Sequence, residues 1–188
     1  MAEHVILFAG PMGAGKTTAI STLSDVPVIS TEAANTERDI VNKETTTVAL
    51  DYGEITVGAD EKVRLYGAPG QKRFDFMWTI LKERAKGLIL LVNNDSPDPL
   101  AETIEFMADF AELVSQGRVV VGITRRDIAR NPSPNDYGDA IDTAHPGSLV
   151  PVFTVDPRDP AQMTTILLTL IATLDSKDAA SITQGVTR

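Results

Sequence analysis

Apolar, partly β-branched runs recur along the chain at Val5–Ala9, Thr47–Val57, Lys62–Tyr66, Leu88–Asn93, Arg118–Ile123 and Val150–Val155. Each has the length of a strand, and most are separated by stretches whose apolar residues return every three or four positions. Those stretches predict helices over Lys16–Ser24, Arg73–Ala85, Pro99–Ser115, Pro134–Thr143 and Asp159–Leu174. In the last, Met163, Ile166, Leu167, Leu170, Ile171 and Leu174 make one core-facing stripe, and Asp159 before Pro160 reads as a cap followed by a first-turn proline. Strands alternating with helices predict an α/β fold, a mostly parallel sheet covered on both faces. One pair breaks the alternation. Between Thr47–Val57 and Lys62–Tyr66 the linker "GADE" is too short for a crossover, so the two form a hairpin. The expectation is a six-stranded sheet with one antiparallel strand and helices on both faces.

A chain of 188 residues suits one domain rather than two. The pattern places that domain over 1–175 and leaves "SKDAASITQGVTR", which has no helical period, as a loose tail over 176–188. The net charge of −9 sets the overall field against nucleic acid or an anionic membrane, so phosphate chemistry needs a local pocket. The absence of cysteine excludes disulfides, thiolate metal sites, a cysteine nucleophile and prenyl or palmitoyl anchors. The opening "MAEHVILFAG" carries no basic leader and too short an apolar run for a membrane span, which reads as a cytoplasmic protein without a direct membrane anchor.

The strongest chemical signal is "GPMGAGKTT", which fits G-x-x-x-x-G-K-[ST] between a strand and a helix. Such a loop turns successive N–H groups onto a phosphate and adds the helix dipole. Gly10, Met12, Gly13, Ala14, Gly15, Lys16, Thr17 and Thr18 are therefore candidates for nucleotide binding. Lys16 supplies a charge to the β- and γ-phosphates, and the Thr17 hydroxyl is a Mg²⁺ ligand. Kinase, ATPase and GTPase all remain open on this loop alone.

After "RVVVGI" comes "TRRD", Thr124 to Asp127, which resembles the N/T-K-x-D motif of Ras-like GTPases. An aspartate there accepts from both N1–H and the 2-amino group of guanine, a pair that adenine does not offer. The resemblance makes Asp127 the base reader, with Thr124 beside it and the stem of Arg125 lying over the base. It also makes "TTTVALDYGEI" a switch I segment in which Thr47, with Thr46 as rival, meets Mg²⁺ and the γ-phosphate. "APGQ" then supplies Gly70 as the γ-phosphate sensor and Gln71 as the residue that orients water. Asp156, Pro157 and Arg158 match a second base loop loosely. From Val5 to Leu174 the chain is similar to a P-loop G domain. "TEAANTE", "APGQKRFDFMW" and "GLILLVNND" resemble a bacterial branch that includes the conservon GTPases of actinomycetes and is akin to the gliding-motility polarity GTPase. That resemblance implies a slow GTPase switch with GTP and Mg²⁺, catalytic roles for Lys16, Thr47 and Gln71, and a roadblock-fold regulatory partner. A pseudo-GTPase scaffold that binds GTP without turnover is the alternative.

Three positions depart from the pattern. Gly67 stands where Ras-like proteins carry an aspartate for Mg²⁺; Asp51 either leans toward the metal instead or, as expected for an edge strand, faces water. Met12 replaces a glycine and crowds the approach of an activator's arginine, leaving Arg38 as a candidate in cis. Pro69 removes one backbone donor before Gly70. Finally, Phe74, Met77, Trp78 and Leu81 form one apolar stripe, read partly as packing and partly as an effector surface offering Phe74, Met77 and Trp78.

Overall fold

Within each central strand, alternate side chains feed two separate cores. In β1 (Glu3–Ala9), Ile6 and Phe8 enter one and Leu7 and Ala9 the other; in β5 (Gly87–Asn93), Ile89 and Leu91 oppose Leu88, Leu90 and Val92. A strand buried on both faces requires this continuous apolar sequence. The computed structural model describes residues 3–33, 48–59, 61–69 and 75–185. The remaining strands are β2 (Ile29–Ala33), β3 (Val48–Val57), β4 (Glu61–Gly67), β6 (Val119–Thr124) and β7 (Val152–Thr154), and the sheet order is β2-β3-β4-β1-β5-β6-β7. β1 runs parallel to β4 and β5, β5 to β6, and β6 to β7. β3 is antiparallel to both its neighbours, β2 and β4, and so is the one strand among these that runs opposite to the rest.

All six expected strands and the single antiparallel one are thus present. The sheet gains a seventh, β2, because "ISTEA" at the edge needs only one partner and no apolar alternation, so hydrophobic pattern does not announce it.

The helices are α1 (Lys16–Leu23), α2 (Asp75–Arg84), α3 (Pro99–Asp109), α4 (Ala111–Ser115), α5 (Pro134–Ala144) and α6 (Pro160–Gly185). α1 and α6 cover one face, where Ile20 and Leu23 meet Met163, Ile166, Leu167 and Leu170; α2 to α5 supply Trp78, Phe106, Leu113, Tyr137 and Ile141 to the other. Two helices differ from their expected extents. The single helix expected over Pro99–Ser115 breaks at Phe110, whose φ of −115° and N–H to the Met107 carbonyl (3.1 Å) tighten the chain. The turn seats the Phe110 ring 5.6 Å from the Trp78 ring. α6 continues past Leu174 to Gly185, through the stretch expected as a loose tail. The apolar period ends at Leu174, but nothing in "DSKDAASITQ" breaks a helix until the glycine. Among the described residues no helix is long and apolar enough to cross a membrane.

This topology brings the loops after β1, β4, β6 and β7 to one edge, beyond the C-terminal ends of the parallel strands, where α/β sheets bind ligands.

Candidate functional site

The loop leaving β1 passes so close to β5 that a Cβ at Gly10 would stand 1.9 Å from the Leu91 carbonyl oxygen; with φ at +133°, only glycine fits. The chain then curls into α1, whose first turn holds no acidic residue, so its positive end is left for an anion. Lys16 bends back over the loop, its ammonium donating to the carbonyls of Gly10 and Pro11, both at 2.8 Å. Burial lowers its pKa to about 8, and the charge of Asp51 partly opposes that shift. The Met12 carbonyl accepts from Asn93 Nδ2 at 3.3 Å, while the Met12 side chain is 69% exposed at the mouth.

Beside this loop lies a cavity of about 560 Å³ lined by Met12, Gly13, Gly15, Lys16, Thr17, Thr18, Asp51, Gly67, Ala68 and Pro69. Here the expectation that Asp51 faces water is overturned. The Thr17 hydroxyl donates to Asp51 Oδ2 at the side of this cavity, so the carboxylate turns toward α1. The cause is register: Asp51 pairs with Gly67, which has no side chain to hold the carboxylate away from α1.

A second cavity of about 770 Å³ continues from Gly13, Ala14, Gly15 and Thr18 to Thr124–Ile128 and Thr154–Arg158. Thr124 ends β6 with its buried hydroxyl on the Val92 carbonyl at 3.0 Å. Arg125 follows in the left-handed region, φ 60°. Its guanidinium donates to the Gly13 carbonyl at 2.8 Å and to Asp95 at 3.0 Å, joining the loop after β6 to the phosphate loop and the end of β5. Asp127 lies exposed along the same cavity. Opposite, Asp156 pairs with Arg158 at 2.8 Å, and those hydrogen bonds pull its pKa down to about 2. The Pro157 carbonyl accepts from Thr22 on α1 at 2.8 Å, which holds this loop against the phosphate side.

Behind the base side stands a buried cluster that motif reading does not reveal. The Asn94 amide donates to the carbonyls of Ala129 (2.6 Å) and Pro132 (3.2 Å) and accepts from the Tyr137 hydroxyl at 2.8 Å. Burial pushes Tyr137 up to about 12, so it stays a donor at physiological pH. Asn94 thereby fixes the loop that carries Asp127. The only sequence signal is the pair of asparagines closing the apolar run "GLILLV".

The structure therefore gathers Met12, Gly13, Ala14, Gly15, Lys16, Thr17, Thr18, Thr124, Arg125, Asp127, Asp156, Pro157 and Arg158 along one cleft, with Gly10 packed on β5 where the phosphate loop begins. Arg38, Thr46, Thr47, Gly70, Gln71 and Phe74 lie outside the described residues, as does the side chain of Met77. Trp78 is corrected. It is 2% exposed, packed on Phe106 and Phe110 with its indole N–H on the Pro69 carbonyl at 3.1 Å, so it is a core residue rather than an exposed anchor. Its large ring meets Phe106 of α3 and Phe110 at the break after it and completes that core.

The family model for "conserved hypothetical ATP binding protein" matches residues 27–137. An uncharacterized protein of Methanocaldococcus jannaschii is 35% identical over 75 residues, which are 40% of this chain and 41% of that protein, so the match spans less than half of the relative. Among solved structures, the G domain of the FeoB iron transporter of T. maritima superposes with a TM-score of 0.60 at 17% identity, covering 94% of this chain and 99% of that one. The likeness shows a P-loop G-domain fold.

Proposed function

This chain belongs to the family of conserved hypothetical ATP binding proteins, and from that premise we propose that it is a cytoplasmic small GTPase switch. It binds GTP and GDP with Mg²⁺ and hydrolyses GTP slowly. The observation that carries the choice of guanine is Asp127, an exposed carboxylate on the cavity that the phosphate loop shares, on a loop tied to that phosphate loop by Arg125. Its two oxygens match the donor pair on guanine; adenine offers an acceptor and no 2-amino group there.

The phosphates sit on the N–H groups of Gly13 to Thr17, and the Lys16 ammonium exchanges its two loop carbonyls for phosphate oxygens. The hydroxyl of Thr17, which lines the cavity beside the phosphate loop, is a hard oxygen donor of the kind that suits Mg²⁺; Thr47 is the further proposed ligand. When bound, Mg²⁺ neutralises charge on the phosphate oxygens. Gly70 senses the γ-phosphate and Gln71 orients the attacking water. Exposed Met12 stands in the path of an arginine inserted from its side, so stimulation comes from another direction or from Arg38. A roadblock-fold protein is the proposed regulator, with Phe74 and Met77 as the remaining effector contacts.

A second reading, ATP as the ligand, is favoured by the family's own description. Titration of purified, nucleotide-stripped protein with fluorescent GDP, GTP, ADP and ATP separates the two. Guanine nucleotides are expected to bind about 100-fold more tightly, because adenine leaves both hydrogen bonds to the Asp127 carboxylate unmade, each worth about 1.5–3 kcal/mol; equal binding of ATP would overturn the guanine assignment. Single-turnover phosphate release then distinguishes a slow enzyme from a scaffold that holds GTP intact.

A further inference from the structure

Asp51 raises an electrostatic problem. Its carboxylate lines the cavity that also holds Lys16, Thr17 and the N-terminus of α1, and it accepts from the Thr17 hydroxyl. A di- or triphosphate bound on those groups brings further negative charge next to the carboxylate, and like charges at close range in a partly buried site repel. A cation between the two removes the repulsion and turns it into attraction.

We propose that Asp51 is the carboxylate of the Mg²⁺ site, delivered beside Thr17 from the antiparallel strand β3. Gly67 is its structural counterpart. The two residues are register partners, and a Cβ at position 67 would stand 3.1 Å from Asp51 Cβ, 3.3 Å from Asp51 Oδ2 and 3.0 Å from Ile20 Cδ1. The space beside α1 therefore holds one acidic side chain, and here it comes from β3. Gly67 marks a carboxylate moved across one rung of the sheet. The inference rests on the nucleotide site proposed above and adds to it the identity of the metal's anionic ligand.

The test measures release of fluorescent GDP from the full chain, with Mg²⁺ and with EDTA, for wild type, Asp51→Asn and Asp51→Ala. Wild type is expected to release GDP more slowly with Mg²⁺ than with EDTA, and both variants to lose that slowing by about 10–100-fold, the range found when the surroundings of a metal site are disrupted. In EDTA both variants bind GDP at least as tightly as wild type, because a charge that repels phosphate is gone; this also certifies that they are folded. Mn²⁺ paramagnetic resonance of the GDP complexes gives a readout independent of release, with the bound-metal signal expected in wild type and lost in both variants. The double variant Asp51→Gly with Gly67→Asp, which returns the carboxylate to β4, is expected to regain most of the Mg²⁺ effect. Variants that keep the full Mg²⁺ effect and Mn²⁺ signal, or a wild type that binds GDP with no response to Mg²⁺, would overturn the assignment while leaving nucleotide binding standing. A wild type that binds no nucleotide in EDTA or Mg²⁺ would instead sink the proposed function, and this inference with it.

Discussion

The two ends of the cleft are built on different principles. The phosphate end is local: Gly10, Gly15, Lys16 and Thr17 lie within eight residues, and Lys16 is held by carbonyls five and six positions before it. The base end is assembled at long range. Arg125 reaches back 112 residues to Gly13, and Pro157 is held by Thr22 across 135. A short loop shapes a charge receptor by itself, whereas the base pocket exists only after the sheet has set β5, β6 and β7 side by side. Affinity should therefore reside chiefly at the first end and selectivity at the second.

The largest break in that contrast comes from Lys16→Met. Removing the charge deletes charge-assisted hydrogen bonds to phosphate, each worth about 1.5–3 kcal/mol, so affinity for GDP, GTP and any other bound diphosphate should fall about 100-fold or more. The loss should be the same for every base. Isothermal titration with GDP and IDP measures this, and a loss confined to one base would contradict the division of labour.

Asp127→Asn acts at the other end and should act selectively. The substitution places a donor where the carboxylate accepts, so GDP should weaken about 10–100-fold and xanthosine diphosphate should gain in its place. Competition between the two nucleotides reads the switch. If both weakened equally, Asp127 would be a loop-holding residue and not the reader of the base.

The same contrast explains what was legible in the sequence. Continuous apolar runs mark β1, β5 and β6 because both faces of each are buried, and a phosphate loop is a local motif that carries its own geometry. Asp51 is different: 34 residues separate it from Thr17, and its orientation depends on the register of β3 against β4 and on the missing side chain of Gly67. Asn94 likewise acquires its role only once Tyr137 and the Ala129–Pro132 loop pack around it. Trp78 shows the limit of stripe reading, since a helical period names an apolar face without saying whether α3 or a partner covers it. β2 carries no pattern because an edge strand requires none.

The smallest effect sharpens the phosphate end through pH. Burial leaves Lys16 of the free protein with a pKa of about 8, below its ordinary 10.5. A bound phosphate stabilises the ammonium and raises that pKa again, so the complex holds a proton that the free protein is losing above pH 8. Binding then takes up protons, and the sign follows: affinity is fully expressed below about pH 7 and declines as pH rises through 8, approaching a limit of about tenfold per pH unit. Between pH 7 and 8.5 the decline should be about fourfold. Lys16→Arg tests the assignment, because a guanidinium does not titrate in this range. The variant should bind more weakly, yet its affinity should be flat from pH 7 to 8.5. A slope that survives in Lys16→Arg would move the titrating group elsewhere.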